Sequence, residues 1–127
     1  MNSPQTQQQE ITGDALNALI IDSIQDIKGK NILKMDLRQL DGAPTDFFII
    51  CEGDSSTQVG AIASNIVKRL KDEVGVRPSH IEGKDMSTWV LVDYFDIIVH
   101  VFYPETRQFY EIEDLWSDAI TTEYQNI

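Results

Sequence analysis

Two closely spaced apolar runs near the C-terminal end dominate the hydrophobic pattern: residues 89–92 and 97–102, joined by the acidic stretch Asp93-Tyr94-Phe95-Asp96. Both runs are rich in β-branched and aromatic residues, which suit a pleated, packed surface, and the short connection predicts a β-hairpin. Ile97, Ile98 and Val99 follow one another without polar alternation. That pattern marks a strand covered on both faces, so the second arm is expected to be central in its sheet.

The rest of the chain punctuates clearly. After Thr12, a candidate N-cap, Leu16, Leu19, Ile20, Ile24 and Ile27 fall on one helical face. Lys28-Gly29-Lys30 predicts the end of that helix, with Gly29 as a left-handed cap. Residues 32–37 predict a strand, Asp41-Gly42-Ala43-Pro44 a turn, and residues 46–51 a buried strand. Ser55 or Ser56 is then expected to cap a helix with the stripe Val59, Ile62, Ala63, Ile66, Val67 and Leu70. Its last turns carry Lys68, Arg69 and Lys71, which complement the helix dipole. Residues 76–81 predict a weak strand that Pro78 confines to an edge, followed by a loop at 82–87. Beyond the hairpin, Pro104 opens a segment in which Phe109, Ile112, Leu115 and Trp116 keep a partial helical period. The order α-β-β-α-β-β-β-α predicts a single mixed α/β (α+β) domain, with a sheet of about five strands, parallel and antiparallel, flanked by helices. The domain is placed at residues 11–118, with a disordered tail at 1–10 and a frayed tail at 119–127.

Composition narrows the class. Hydrophobic residues make up 42% of 127, enough for a real core at this size. No apolar run approaches the roughly 20 residues that span a bilayer, and residues 1–10 are Gln-rich without a signal or transit pattern. A cytoplasmic protein without a membrane partner is expected. Cys51 lies inside an apolar run and reads as a small buried hydrophobe; one cysteine builds neither an internal disulfide nor a structural zinc site. Net charge is −11, and from Glu82 onward ten acids face only Lys84 and Arg107. Such a surface repels a phosphate backbone, which argues against direct DNA binding, and it suits a basic protein.

Candidate chemistry is sparse. The turn Gly53-Asp54-Ser55-Ser56 leads from a strand into a helix, where backbone amides can bind an anion, as in nucleotidyltransferases. Such enzymes also need two carboxylates on the next strand to hold magnesium, and Ser79-His80-Ile81-Glu82 offers one. Asp93 and Asp96 flank a hairpin turn, where aspartate serves turn geometry. Simple capping by the serines is the competing reading, and a residual nucleotide-binding or nucleotidyltransferase module is the alternative function. His80 and His100 have no second histidine or thiol near them in sequence, so no metal site is expected. Trp89 opens the hairpin after the polar loop and reads equally as a lid on the core or as an interface anchor.

Four pieces carry a family resemblance: D-F-F-I-I-C-E-G-D-S-S at 46–56, E-G-x5-W-V-L-V-D at 82–93, D-I-I-V-H-V-F at 96–102 and R-x-F-Y-E-I-E-x-L-W at 107–116. Together they resemble the ribosomal silencing factor family, RsfS or Iojap, over the chain from about Ala15 to Trp116. The resemblance implies a nucleotidyltransferase-like fold lacking the catalytic acids, no enzyme activity and no cofactor. It implies binding to the large ribosomal subunit through its basic ribosomal protein fourteen. The bound factor would block joining of the small subunit and repress translation, especially under nutrient shortage. A homodimer in the free state is also implied. Carried over by position, the partner-facing residues are Trp89 first, then Glu82, Gly83, Asp93, Tyr110 and Glu111. Relatives usually carry glycine where this chain has Phe95, so either the hairpin turn changes type or Phe95 is strained.

Overall fold

The computed structural model describes residues 13–127; the tail at 1–10 and the cap at Thr12 lie outside the described residues. The chain runs α1 (Gly13–Asp26), β1 (Lys30–Asp36), β2 (Phe47–Glu52), α2 (Ser56–Val74), β3 (His80–Glu82), β4 (Trp89–Asp93), β5 (Ile97–Phe102), α3 (Pro104–Tyr110), α4 (Ile112–Leu115) and β6 (Ile120–Tyr124). The strands form one sheet in the order β3-β4-β5-β2-β1-β6. β2 and β5 pair in parallel, and the other neighbours pair antiparallel. The mixed α/β architecture and the hairpin therefore stand, and β5 is central as the unbroken apolar run implies: of its residues only Ile98 is not buried.

Strand alternation splits the core in two. Ile32, Phe47, Ile49, Cys51, Val90, Val92, Ile97, Val99 and Val101 point to the side covered by α1 and α2. Met35, Leu37, Phe48, Ile50, Phe102 and Ile112 make a smaller cluster on the other side, flanked by Leu40, Trp89, Ile98 and Trp116. α2 starts as the sequence suggests: the Gln58 amide donates to Ser55 Oγ at 3.1 Å, a cap worth about 1 kcal/mol. It ends at Gly75 (φ 70°), where the Val76 amide reaches Leu70 O, the backbone pattern of a Schellman stop.

Several expectations are corrected. The left-handed residue after α1 is Lys28 (φ 61°), not Gly29. Gly29 is needed for space instead, because a Cβ there would lie 2.3 Å from Ile24 Cγ2. The weak strand expected at 76–81 is only the edge strand His80–Glu82. The tail expected to fray at 119–127 supplies a sixth strand, β6, which pairs with β1 from Ile32↔Tyr124 to Asp36↔Ile120. Its Thr and Ile residues suit a strand, but only Tyr124 is shielded, so no apolar alternation advertises it. The single helix expected after Pro104 is two short ones, broken at Glu111 (φ 46°). The break turns Phe109 and Leu115 outward, at 77% and 74% exposure, while Ile112 stays buried.

The hairpin turn resolves the question about Phe95. Its φ is 77°, and the Asp96 amide donates to Tyr94 O at 2.9 Å, the geometry of the rarer positive-φ γ-turn. Phe95 is thus strained, and its surroundings hold it there: its amide donates to Asp93 Oδ1 at 2.7 Å and its carbonyl accepts from Thr45 Oγ1 at 2.8 Å. The turn buries Tyr94 on the helix side, which pushes its phenol up to about 12, and leaves Phe95 in solvent.

Candidate interaction face

The sheet face opposite α1 and α2 is only partly covered. Trp89, Leu91 and Asp93 of β4 pair with Phe102, His100 and Ile98 of β5, and alternation puts all six on this side. Leu91, Asp93 and Ile98 are only half-buried. An apolar strip therefore runs along the hairpin, with Trp89 at one end and the 93–96 turn about 13 Å away at the other.

Trp89 is both lid and surface. Its ring stacks on Phe102 (centroids 4.9 Å apart, 30° between planes), and its indole N–H donates to His100 Nδ1 at 3.1 Å. Indole can only donate, so Nδ1 must be the unprotonated nitrogen of a neutral imidazole. Burial supports this, because it lowers the His100 pKa to about 4. His100 Nε2 has no hydrogen-bond partner. Tyr110, 51% exposed, covers the outer side of Trp89 at 4.8 Å, and Phe109 packs edge-on against Tyr110 at 4.9 Å. Thr88, Trp89, Glu105, Phe109 and Tyr110 line a shallow groove of about 350 Å³.

Arg107 holds α3 in this position. It is 8% exposed and donates to Glu52 Oε2 (2.9 Å), Glu113 Oε2 (2.9 Å) and the Asn31 carbonyl (2.7 Å). One buried guanidinium thus ties α3 and α4 to β1 and β2, and so sets Tyr110 over Trp89. In the sequence Arg107 stands out only as one of two bases in an acidic half and as the first residue of the 107–116 motif.

The remaining candidate residues divide. Gly83 (φ 87°) supports Trp89 from behind: a Cβ there would lie 2.0 Å from the Trp89 carbonyl oxygen. Glu82 is exposed on edge strand β3, paired with His80, and lies opposite Leu91. Glu111 is exposed at the helix break beside Tyr110. Asp93 is separate from this group, at the far end of β4, where it fixes the turn. Phe109 and Phe95, both about four-fifths exposed, were not among the candidates. The adjacent aromatics of Phe109-Tyr110 are the signal that could have found the first, since neighbouring residues on a short helix cannot share one buried face.

The Gly53–Ser56 turn does not favour the nucleotide reading. Ser55 Oγ accepts the Gln58 amide and Gln58 Oε1 accepts the Asp54 amide at 2.6 Å, so two of the amides that would meet an anion are already engaged. The Asp54 carboxylate, paired with Lys30 at 2.8 Å, adds negative charge there. Gly53 serves packing, since a Cβ would approach Val59 N to 2.9 Å. Among the described residues no group of three or more His, Cys, Asp or Glu side chains could hold a metal ion. Cys51 is buried and free, and desolvation pushes its thiol far up.

The family model described as "Ribosomal silencing factor during starvation" matches residues 9–127. The chain belongs to the RsfS family. It is 43% identical over 94 residues to Ribosomal silencing factor RsfS of Bacillus subtilis, covering 74% of this chain and 78% of that one. It is 33% identical over 117 residues to the RsfS of Halalkalibacterium halodurans, covering 92% and 98%. A crystal structure of a Chromobacterium violaceum protein superposes with a TM-score of 0.80 at 37% identity, covering 84% of this chain and 88% of that one. RsfS relatives are thus named as regulatory factors rather than as enzymes, and the residues that carry the resemblance build the hairpin, the α2 start and the Arg107 cluster.

Proposed function

We propose that the chain is a cytoplasmic translation repressor that binds the large ribosomal subunit through its basic ribosomal protein fourteen. Bound there, it obstructs the small subunit and so silences ribosomes, especially under nutrient shortage. The observation that carries this reading is the partly open sheet face, apolar along Trp89, Leu91 and Ile98, with Tyr110 exposed over one end and Glu82, Asp93 and Glu111 at its margins. Aromatic anchors within a polar rim are the anatomy of a protein interface, and acidic rims select basic partners. No helix among the described residues is long and apolar enough to cross a membrane. Tyr110 and Trp89 serve as anchors, Glu82, Asp93 and Glu111 as the acidic margin, and Gly83 as the close-packed support behind Trp89. The test is cosedimentation with isolated large subunits, followed by addition of small subunits. Wild type should cosediment and prevent joining. Tyr110→Ala, which removes an exposed ring, should melt normally and bind about tenfold more weakly. Unimpaired joining at saturating factor would overturn the reading. Sedimentation equilibrium of the free protein tests the homodimer that the resemblance implies.

A further inference from the structure

We propose that the groove beside Phe95 is a docking slot for an arginine side chain of the basic partner, with the Phe95 ring as its platform. This rests on the partner-binding reading above and names the chemistry at the end of the face farthest from Trp89. The groove, about 440 Å³, opens where the β4–β5 turn meets the 37–46 loop. Its apolar side is Leu40, Ala43 and Ile98, continuous with the strip that runs back to Trp89. Its other side carries Asp46, Asp93 and Asp96, and Phe95 stands at the lip with 79% of its surface in water. The base that also lines the groove, Arg38, is already held by two hydrogen bonds to Asp36 and lies 4.8 Å over the Phe47 ring. Among the described residues Asp93 and Asp96 have no ion-pair partner, while Asp46 lies within the electrostatic reach of Arg38 without a hydrogen bond to it.

An arginine fits each wall. Its aliphatic stem matches the apolar side, its guanidinium plane stacks on an exposed ring, and its fork of donors matches carboxylate oxygens. An apolar anchor alone would leave the aspartates facing it unpaired, which disfavours a purely hydrophobic occupant. The conformation of Phe95 makes the slot testable. Glycine takes a φ of 77° without cost, so Phe95→Gly removes the ring without threatening the fold.

The experiment compares wild type, Phe95→Gly and Asp96→Asn for melting and for affinity to isolated large subunits. Separately, acetyl-arginine amide is titrated into the free protein, with the Phe95 ring and Asp96 carboxylate read by NMR. Phe95→Gly should melt at the same temperature or a few degrees higher, yet bind the subunit about tenfold more weakly. Asp96→Asn should weaken binding several-fold, and the amide should shift both reporters in wild type. If wild type binds and Phe95→Gly binds equally well, the slot is wrong and the partner reading survives. If wild type does not bind the subunit, the partner reading falls, and the amide titration decides the slot: no shift at Phe95 or Asp96 overturns it.

Discussion

Replacing Trp89 with phenylalanine separates the two roles of this residue. The smaller ring can still stack on Phe102 and under Tyr110, but the N–H that His100 Nδ1 accepts is lost. His100 is 5% exposed and its Nε2 already lacks a partner, so no water replaces the donor cheaply. An orphaned buried acceptor costs about 1–3 kcal/mol, and a fall in Tm of about 10 °C follows for a domain of this size. Trp89→Phe combined with His100→Leu removes both partners and should cost less than the sum of the single changes by about 1 kcal/mol. His100 adds a pH signature. Its pKa falls from 6.5 to about 4 on folding, so between those values the unfolded chain holds a proton that the native protein does not. Stability therefore rises with pH across that window, is complete above it, and is lost by about 3 kcal/mol on acidification to pH 4. Urea melts at several pH values measure all of this, with His100→Leu subtracting the slope that the carboxylates contribute. Strictly additive single mutants, or a pH slope unchanged in His100→Leu, would refute the assignment of a neutral, Trp-bonded His100.

Three further outcomes follow from the geometry. Gly83→Ala combines a positive φ with a Cβ 2.0 Å from the Trp89 carbonyl, so it should destabilise by roughly 2 kcal/mol or more and alter Trp89 fluorescence; thermal melts and emission spectra check it. Arg107→Met leaves Glu52 and Glu113 partly buried without their cation, and urea melts should register a loss of roughly 3 kcal/mol. Under the proposed function, in which the acidic margin steers the encounter, association with the large subunit should slow by about tenfold from low to physiological ionic strength; stopped-flow rates that stay flat would count against steering.

What the sequence revealed depended on how much burial each segment has. β5 was legible because all but one of its positions are buried, which leaves an unbroken run, and α2 because its buried positions recur at helical spacing, which leaves a stripe. β6 was illegible because an edge strand with one shielded residue needs only backbone pairing, and hydrophobic periodicity carries no trace of that. The split of the last helix was hidden for a related reason. Ile112 and Trp116 do face the core, so the period looked continuous, but a positive φ at Glu111 re-phases the chain between Tyr110 and Ile112. At the site, Trp89 was legible from its place at the mouth of the hairpin and Tyr110 only from the resemblance, and the structure places them ring against ring. Gly83 and Asp93 were named as surface residues, and both turn out to shape backbone beside the surface. The role of Arg107 was beyond reach, because its partners lie 55 and 76 residues away in Glu52 and Asn31.

The same arrangement limits indiscriminate association through the open apolar strip. Apolar surface left in water favours association in proportion to its area, and large exposed patches are liabilities. Here Leu91 and Ile98 are only half exposed, the Trp89 ring is shielded on one side by Phe102 and on the other by Tyr110, and the acids at the margins repel other acidic surfaces that approach the strip. A basic partner reverses the last of these terms. Under the proposed function its charge would remove the repulsion and admit it to the strip, with Tyr110 and Phe95 at opposite ends. Selectivity on this view is set by the acidic margin and binding strength by the rings. Neutralising Glu82, Asp93 or Glu111 one at a time should therefore change association rate and partner choice more than the dissociation rate, whereas Tyr110→Ala should act chiefly on dissociation. Surface-plasmon traces of the four variants over immobilised large subunits measure both rates, and an acidic-margin variant that only dissociates faster would contradict this division of labour.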